Sequence, residues 1–354
     1  MTTAAAVRAR APGKLILAGE HAAVVGGPVL AAAIGLHCTA VVRPRRDGAV
    51  ELLLPDVDVR RVTDWPTLSR YTAEARRRWS AFATDPGGPA FAAVRGDDPA
   101  HVVAATLGET LPHLRHAPSG ISLTVTSGLP VGAGFGSSAA TAVATCAAVL
   151  AHHHGAPDAE SVAAVAARTE KLQHGTPSGI DTATVQRGGT QWLPRDTHRT
   201  AGAVGLPIDE AALSMCELHH TGPAAEPTGQ VVAAVRARLT PQALAQSEHA
   251  TTSLSAALAR PRPDRSEVIA AIRDSARFLA RLGVVPEGVA AAIRTVEEHG
   301  GAAKICGAGS LTGPGAGALL VVRPDDGPAT APGLAPFTPV AAPLGVAGLH
   351  WEEL

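Results

Sequence analysis

Net charge, aromatic side chains and paired cysteines are all scarce in this chain. The 354 residues carry a formal net charge of −1 at pH 7, so the chain as a whole does not attract nucleic acid or anionic lipid, and any phosphate must be bound locally. Aromatic residues make up 3%, and the four cysteines include no C-x-x-C pair, which argues against a zinc site and a disulfide framework. We expect the cysteines to be small buried side chains in a reducing compartment.

Long apolar runs are also missing. No run reaches the length of a membrane span, and no apolar segment follows the arginines near the N-terminus. Hydrophobic residues make up 46% and charged residues 17%, which is typical of a globular protein, and 354 residues are enough for two domains. We therefore expect a cytoplasmic protein with no membrane and no nucleic-acid partner, whose oligomeric state stays open, a homodimer being one alternative.

The most informative stretch is glycine-rich and spans residues 128–140. It follows an alternating run that predicts a strand at 121–126 and precedes an Ala/Val-rich run that predicts a buried helix at 139–150. Glycines inside it remove the Cβ atoms that would hold a phosphate away from the backbone, and the helix start offers free N–H groups. This order of elements predicts an anion-binding loop.

Two familiar loop types do not fit this stretch. No Gly-Lys-Ser/Thr follows the glycines, and Ser137 stands where a dinucleotide fingerprint has its third glycine. Ser137 and Ser138 fall at the predicted helix start, where either could cap the helix, bind a phosphate oxygen or ligate a metal on the phosphate. A glycine turn with a serine cap is the structural alternative.

Three polar residues interrupt an apolar segment near the N-terminus. Lys14 precedes a predicted strand at 15–17, and Glu20 and His21 follow that strand in a Gly-Glu-His turn. A buried lysine near a phosphate chain can stabilise the transferring phosphoryl oxygens. A surface lysine beside an ordinary turn is the alternative interpretation.

Two carboxylates flank a Gly/Pro/Ser turn further along the chain. Glu170 lies on a predicted helix that must end before Gly175, and Asp181 follows the turn. Phosphoryl transfer needs a magnesium ligand and a group that faces the attacking hydroxyl, and these two carboxylates could supply both roles. An aspartate helix cap and a surface glutamate would be the structural alternative.

These segments together resemble the motifs of the GHMP kinases, in the form that mevalonate kinases carry. Residues 11–25 (APGKLILAGEHAAVV) resemble the first motif, whereas galactokinases would be expected to carry Thr-Asp-Tyr after Gly-Glu-His. Residues 129–140 (LPVGAGFGSSAA) resemble the nucleotide-binding motif. The segment 170–181 (EKLQHGTPSGID) is similar to the pattern Glu-x-x-x-His-Gly-x-Pro-Ser-Gly-x-Asp, including its Glu-to-Asp interval.

The resemblance implies roles for individual residues. Asp181 would be the catalytic aspartate, paired with Lys14, and Ser138 with Glu170 would hold Mg²⁺. ATP would lie against the loop residues Pro130, Gly132, Ala133, Gly134, Gly136, Ser137 and Ser138. The substrate would contact Glu20, His21, Thr228, Gly307, Ala308 and Gly309.

Two positions depart from the family pattern. Residues 303–322 resemble the third motif, in which free loop amides can receive an anion, but residues 310–314 (SLTGP) replace a shorter all-glycine turn. His220 stands where an aspartate is usual in the substrate-side loop. His219 and His220 alternate faces in a strand, so we expect structural roles for them. These departures put the substrate in question more than the reaction.

The resemblance implies an α+β fold of two domains with the active site in the cleft between them. The first, at 1–195, would be like the second domain of ribosomal protein S5 and would bind the nucleotide. The second, at 196–342, would be ferredoxin-like, and a last strand at about 343–354 would return to the first domain. Three helices are expected at 241–260, 264–282 and 286–299.

Other segments give local expectations. The runs 37–44 and 49–54 alternate like the two strands of a hairpin around a turn at 45–48. The segment 212–218 favours a strand, and 231–239 favours a helix. Residues 76–78 (RRR) are expected on a solvated helical face, with closure over phosphates as the alternative.

Two classes of function follow. The first is an ATP- and Mg²⁺-dependent kinase acting on a small alcohol, with mevalonate as the favoured substrate and 5-phosphomevalonate as the product, by direct in-line transfer. A related alcohol or phosphomevalonate is the alternative substrate. The second class is a nucleotide-binding homologue that does not catalyse, which the presence of Lys14, Ser138, Glu170 and Asp181 argues against.

Overall fold

The computed structural model describes residues 5–84, 94, 96–130, 132–175, 177–195, 202–208, 210–325 and 332–354. The strands in these ranges are β1 (Val7–Ala18), β2 (Val29–Arg45), β3 (Val50–Leu54), β4 (Val59–Thr63), β5 (Gly120–Ser127), β6 (Thr190–Leu193), β7 (Val204–Leu206), β8 (Cys216–His220), β9 (Ala302–Cys306), β10 (Ala318–Val322), β11 (Thr338–Pro339) and β12 (His350–Glu353). The α-helices are α1 (Trp65–Thr84), α2 (His101–Thr110), α3 (Ser137–His154), α4 (Ala159–His174), α5 (Ile180–Arg187), α6 (Glu210–Leu213), α7 (Thr228–Val235), α8 (Pro241–Leu258), α9 (Arg265–Leu282) and α10 (Glu287–Glu298).

The strands form two sheets, which confirms the expected α+β class. The first sheet has the order β12-β1-β2-β5-β3-β4, and β6 pairs with the first half of β2 and carries β7. Within it the described strands pair antiparallel, except that β3 runs parallel to β5. The second sheet has the order β11-β8-β10-β9 and is antiparallel throughout. The sequence predicts two domains, and their boundary near residue 195 stays a prediction.

Helix α3 forms the centre of the larger core. Alanine dominates its sequence, so its backbone can approach β1 and β2 closely, while α2, α4 and α5 pack around it. Residues 139–152 of this helix are buried on nearly every side, apart from the half-exposed Thr141. The strand at 121–126 and the helix at 139–150 that the sequence predicted are both confirmed, and they fix the glycine-rich loop between them.

The predicted hairpin at 37–54 is wrong. Strand β5 lies between the two runs: it pairs antiparallel with Cys38–Arg45 of β2 and parallel with Val50–Leu53 of β3. The alternation of apolar residues is real, because each run presents one face to the core. The turn between the runs packs against the start of β5, where a Cβ on Gly120 would lie 2.8 Å from the Gly48 Cα atom.

Two further local predictions need correction. The predicted strand at 212–218 is a helical turn, α6, followed by β8, which begins only at Cys216. The helix predicted at 231–239 is α7, which ends at Val235 and continues as a 3₁₀ turn at Arg236–Arg238. The helices predicted at 241–260, 264–282 and 286–299 are confirmed as α8, α9 and α10.

The C-terminal segment packs back onto the first sheet. Strand β12 pairs antiparallel with the start of β1, and the Gly345 N–H donates to the Ala33 carbonyl at 2.8 Å. The Leu349 N–H donates to the Gln186 carbonyl at 3.0 Å, which ties the same segment to α5. The described part of the chain has no helix that is both long and apolar enough to cross a membrane.

Candidate active site

Lys14 lies where three elements of the first domain meet. It belongs to β1 and is 5% exposed, and its backbone N–H donates to the Phe135 carbonyl of the glycine-rich loop at 2.9 Å. Its Nζ atom lies 3.0 Å from Asp181 Oδ2. A Cβ on Gly13 would lie 2.7 Å from the same Phe135 carbonyl oxygen, so only glycine allows this approach. The strand, the loop and the aspartate are therefore brought together, as the sequence predicted.

The loop needs its glycines for two reasons. Gly132, Gly134 and Gly136 have φ values of 72°, 81° and 74°, in the left-handed region that other residues avoid. A Cβ on Gly136 would also lie 2.6 Å from Lys14 Cγ, and one on Gly134 would lie 2.8 Å from the Cys306 carbonyl oxygen. The result is an open backbone cradle at the start of α3, which suits a phosphate chain.

The serines after the cradle do not cap the helix. The N-cap of α3 is Gly136, and no side chain in the described residues makes a capping bond there. The alternative in which Ser137 or Ser138 caps this helix is therefore wrong. The Ser138 hydroxyl instead donates to Glu170 Oε1, and the positive end of α3 is left for an anion.

Glu170 is a buried carboxylate beside that hydroxyl. It lies on α4, is 2% exposed, and burial raises its pKa, with partial relief from His174 and the Ser138 bond. The His174 Nε2 atom lies 3.8 Å from Glu170 Oε2. Carboxylate and hydroxyl oxygens are the donors that Mg²⁺ prefers, and a cation would remove the cost of burying this charge. The donor set therefore fits a magnesium ion shared with nucleotide phosphates.

Asp181 lies in the first turn of α5. Its side chain is 30% exposed, whereas that of Lys14 is 6% exposed, so the carboxylate is the member of the pair that can reach a ligand. A negative charge is favoured at a helix N-terminus. The turn before it is held by Trp79 of α1, whose indole N–H donates to the Gly175 carbonyl at 2.9 Å.

A buried ion pair joins the Gly-Glu-His turn to the second sheet. Lys304 of β9 is completely buried, its ammonium group is paired with the Glu20 carboxylate, and its Nζ atom lies 3.3 Å from the Ile16 carbonyl oxygen. Burial alone would lower the pKa of Lys304, but Cys306 and Glu20 beside it outweigh burial and raise it. Burial also raises the pKa of the Cys306 thiol to about 11. The Lys304 ammonium group is therefore held in the interior beside the Glu20 carboxylate.

His21 makes a second connection between the same two parts. Its Nε2 atom lies 2.9 Å from the Ala308 carbonyl oxygen, so Nε2 carries the proton and donates. The residue is 4% exposed and burial lowers its pKa, which keeps the ring neutral. Its φ of 58° is unusual for a non-glycine residue, and its buried Nδ1 atom has no hydrogen-bond partner among the described residues. A strained, half-satisfied histidine of this kind is typical of a ligand-binding position.

The remaining predicted contacts are spread more widely. Gly307 and Gly309 have φ values of 104° and 73° in the loop after β9, and Ala308 lies between them. Pro130 and Ala133 belong to the cradle, and the Ala133 carbonyl accepts a hydrogen bond from the Ala318 N–H at 2.9 Å. Thr228, by contrast, begins α7 in an exposed position, and no hydrogen bond in the described residues joins it to the others.

Sequence reasoning missed three residues that hold this site together. Lys304 lies inside the third motif at 303–322, so its position in the chain was a signal. His174 lies within the Glu-to-Asp segment at 170–181. Trp79 gave no signal, because an indole N–H in a charged helix says nothing about a carbonyl almost a hundred residues away.

A separate cavity of about 530 Å³ lies against α9, outside the arrangement described above. Its arginines have internal partners: Arg265 donates to the Arg323 carbonyl at 3.0 Å, Arg273 donates to the Gly301 carbonyl at 2.8 Å, and Arg277 is paired with Asp274. We assign this cavity no part in the chemistry, because the arginines that line it are already paired with groups of the protein.

Comparison with known proteins agrees with this geometry. Residues 100–189 match the family model for the GHMP kinases N terminal domain, and residues 2–44 match a galactokinase galactose-binding signature. The first match spans the cradle, Glu170 and Asp181. These matches, together with the relatives described next, support an ATP-dependent kinase of the GHMP type with a small-molecule substrate.

Within this class the chain is similar to mevalonate kinases. The mevalonate kinase of Pyrococcus furiosus is 28% identical over 98% of this chain and 99% of its own length. That of Mus musculus is 28% identical over 88% of this chain and 85% of its own length. The crystal structure of the Methanococcus jannaschii mevalonate kinase superimposes with a TM-score of 0.72 at 17% identity, over 90% of this chain and 91% of that one. The fold expected from the sequence is confirmed.

Proposed function

We propose that this kinase transfers the γ-phosphoryl group of ATP to the primary hydroxyl of mevalonate, which gives 5-phosphomevalonate for isoprenoid precursor synthesis. The observation that carries the proposal is the Lys14–Asp181 pair, 3.0 Å apart, beside a glycine cradle. The similarity to mevalonate kinases along nearly the whole chain supports the choice of substrate.

Asp181 acts on the acceptor. As the hydroxyl oxygen forms its bond to the γ-phosphorus, the bond to the β,γ-bridging oxygen breaks and the hydroxyl proton passes to the Asp181 carboxylate. Lys14 keeps that carboxylate oriented and balances the negative charge of the transferring group. We infer direct in-line transfer, because this site pairs one positioned aspartate with one lysine and offers no activated covalent nucleophile among its described residues.

Ser138 and Glu170 are the residues that would hold magnesium. When bound, the ion neutralises charge on the phosphate oxygens. The Ser138 hydroxyl donates to the Glu170 carboxylate, so both groups lie together at the start of α3, next to the cradle. The cradle itself would be contributed by Pro130, Gly132, Ala133, Gly134, Gly136 and Ser137.

The acceptor would lie between the Gly-Glu-His turn and the loop after β9. His21 offers the unpartnered Nδ1 acceptor, and Glu20 sets the turn through Lys304. The amides of Gly307, Ala308 and Gly309 would receive the acceptor carboxylate, and Thr228 would close the far side. We also propose that residues 1–195 and 196–342 form the nucleotide-side and substrate-side domains.

A sugar or a phosphorylated acceptor is the competing choice. The galactokinase signature matches residues 2–44, but Ala22 and Ala23 follow Gly-Glu-His where a galactokinase would carry polar residues. The loop at 310–314 and His220 leave a related alcohol or phosphomevalonate as alternatives. A non-catalytic homologue is disfavoured by the Lys14–Asp181 geometry.

The test is ADP release from Mg·ATP with mevalonate, 5-phosphomevalonate, galactose and homoserine as acceptors. We expect turnover with mevalonate and at least a hundredfold lower kcat/KM with the others, because a site built for one set of polar groups rejects acceptors that leave them unpaired, by about that much or more. Turnover with another acceptor would overturn the substrate assignment. ATP binding without turnover on any acceptor would contradict the catalytic proposal.

A further inference from the structure

The unusual loop at 310–314 is held by a single carboxylate from another segment. Glu226 Oε2 accepts from the Ser310 hydroxyl at 2.7 Å and from the Leu311 N–H at 2.9 Å, and Glu226 Oε1 accepts from the Thr312 hydroxyl at 2.5 Å. Three donors on one carboxylate lower the pKa of Glu226 to about 2, the Thr312 bond contributing most. The carboxylate is therefore ionised at any pH at which a kinase is assayed.

Ser310 is the centre of this arrangement. It is 1% exposed, and its N–H donates to the Val284 carbonyl at 3.0 Å. Its hydroxyl oxygen also accepts from the Ala225 N–H at 3.2 Å and the Gly313 N–H at 3.3 Å. Ser310, the first residue of the 310–314 loop, is therefore buried and hydrogen-bonded on several sides, and Glu226 positions its hydroxyl group.

The two segments stay joined beyond Glu226. The Thr221 N–H donates to the Gly317 carbonyl at 2.9 Å, and the Thr221 hydroxyl accepts from the Ala316 N–H at 2.8 Å. A Cβ on Gly315 would lie 2.6 Å from the Gly222 carbonyl carbon, so the two backbones are in direct contact. Residues 221–226 and 310–317 therefore form one two-segment wall.

This two-segment wall begins and ends at the proposed active site. Ala308, two residues before Ser310, accepts the hydrogen bond of His21, and Ala318, just after the wall, donates to Ala133 of the cradle. Thr228 follows Glu226 by two residues on the other segment. Displacing the Ser310 end would therefore move the Ala308 carbonyl and the loop amides before it.

We propose that Glu226 is a positioning residue that sets acceptor specificity, by holding residues 310–312 and the segment leading to Thr228 as one rigid wall of the acceptor pocket. The inference rests on the proposed function of that pocket. A wall that is held in advance by three hydrogen bonds costs little ordering when the acceptor binds, so loosening the wall should weaken acceptor binding and raise its KM. Glu226 itself acts only through the groups it holds.

The experiment compares Glu226→Ala and Glu226→Gln with the wild type on whichever acceptor the wild type phosphorylates. We expect the KM for the acceptor to rise about tenfold or more in Glu226→Ala, with the KM for ATP changed less than about twofold. Glu226→Gln keeps an oxygen acceptor for the Leu311 N–H and should lie between the two. Glu352→Gln, which removes an exposed partner of Arg8 on the first sheet, is the matched control and should change neither KM.

Hydrogen exchange of residues 307–317 provides a readout that does not depend on activity. Faster exchange there in Glu226→Ala, with the cradle at 128–138 unchanged, is the expected result. Equal rises in both KM values, or an unchanged acceptor KM despite faster exchange, would overturn the specificity role. Absence of turnover by the wild type on every acceptor would instead count against the proposed function, while the exchange result would still test the wall.

Discussion

The two charged residues at the centre of the site, Lys14 and Asp181, differ in their exposure to solvent. Lys14 is nearly enclosed by β1 and the glycine loop, while its partner Asp181 keeps 30% of its side chain open. An enclosed lysine is held in one geometry, so the aspartate is oriented before any ligand arrives. The pair therefore suits a reaction in which the carboxylate meets the acceptor and the ammonium group remains fixed.

The first prediction concerns this carboxylate. Asp181→Asn keeps the size of the side chain and removes the proton acceptor, so kcat should fall about 10²–10⁴-fold. ATP binding should change little, because the cradle backbone does not depend on Asp181. Single-turnover kinetics and ATP titration measure the two effects, and a variant that keeps near-normal turnover would contradict the catalytic role.

The two neighbouring serines allow a matched comparison. Ser138 contacts Glu170, whereas Ser137 makes no hydrogen bond with that carboxylate in the described structure. Ser138→Ala should therefore raise the Mg²⁺ concentration needed for half-maximal activity about tenfold or more, since a metal ligand and the groups that hydrogen-bond to it each contribute on this scale. Ser137→Ala should leave the magnesium dependence unchanged. Identical magnesium curves for both variants would contradict the assignment of Ser138.

At the scale of elements, α1 supports the helix that carries Glu170. The Trp79 indole bonds the Gly175 carbonyl just past the end of α4, and Lys171 lies over the same ring at 5.9 Å from its centre. Arg76 of α1 and Arg168 of α4 also meet at the fully buried Glu109 of α2, at 2.5 Å and 2.6 Å. The arginines at 76–78 lie on a solvated face of α1, as the sequence predicted. Arg76 has a structural role as well, because its pair with Glu109 helps to join three helices.

A tryptophan pair tests this support. Trp79→Phe removes the N–H and should cost about 1 kcal/mol of folding stability. It should also lower kcat several-fold, because the turn before Asp181 loses an anchor. Trp65→Phe removes an equivalent bond to the Ser119 carbonyl, also 2.9 Å long but on a different loop, and should lower stability alone. Equal effects of the two variants on kcat would show that the Trp79 bond is only structural.

The sequence predicted local elements better than it predicted their neighbours. The spacing of apolar residues predicted α3 and the three helices after residue 240, because that spacing depends on whether one face or the whole of a helix is buried. The hairpin at 37–54 failed for the opposite reason: alternation records which face is buried, but not which strand lies alongside. The site followed the same rule, since Lys14, Glu170 and Asp181 lie in recognisable motifs, whereas Trp79 and Glu226 act across the chain.

On the scale of the whole molecule, two short contacts join the sheets beside the site. The Glu20–Lys304 pair and the His21–Ala308 bond both connect the turn after β1 with the segment around β9. Removing one partner of such a buried pair lowers folding stability strongly, because the other charge stays buried alone. Replacing both partners together changes folding stability little. The pair therefore fixes the position of one sheet relative to the other more than it adds to the folding stability.

A double-mutant cycle tests that view. Lys304→Met should destabilise the fold by about 3–5 kcal/mol, because it leaves the Glu20 carboxylate buried without a partner. Adding Glu20→Gln should restore part of that loss, although activity should stay low. Arg8→Met at the exposed Arg8–Glu352 pair is the control and should cost about 0–1 kcal/mol. Denaturant unfolding measures the wild type, Lys304→Met, Glu20→Gln, the double variant and the Arg8→Met control. Additive losses at Glu20 and Lys304 would contradict the coupling.

The insertion of β5 between β2 and β3 has a consequence for how the chain folds. These two runs are close in sequence and carry hairpin-like alternation, yet the native sheet requires a gap between them until residues 120–127 arrive, after α1 and α2. A direct β2–β3 pairing would form quickly, because its loop is short, but it would occupy the edges that β5 needs. We therefore predict that a tighter turn at residues 45–48 would slow folding of this sheet, because it would stabilise the non-native β2–β3 pairing.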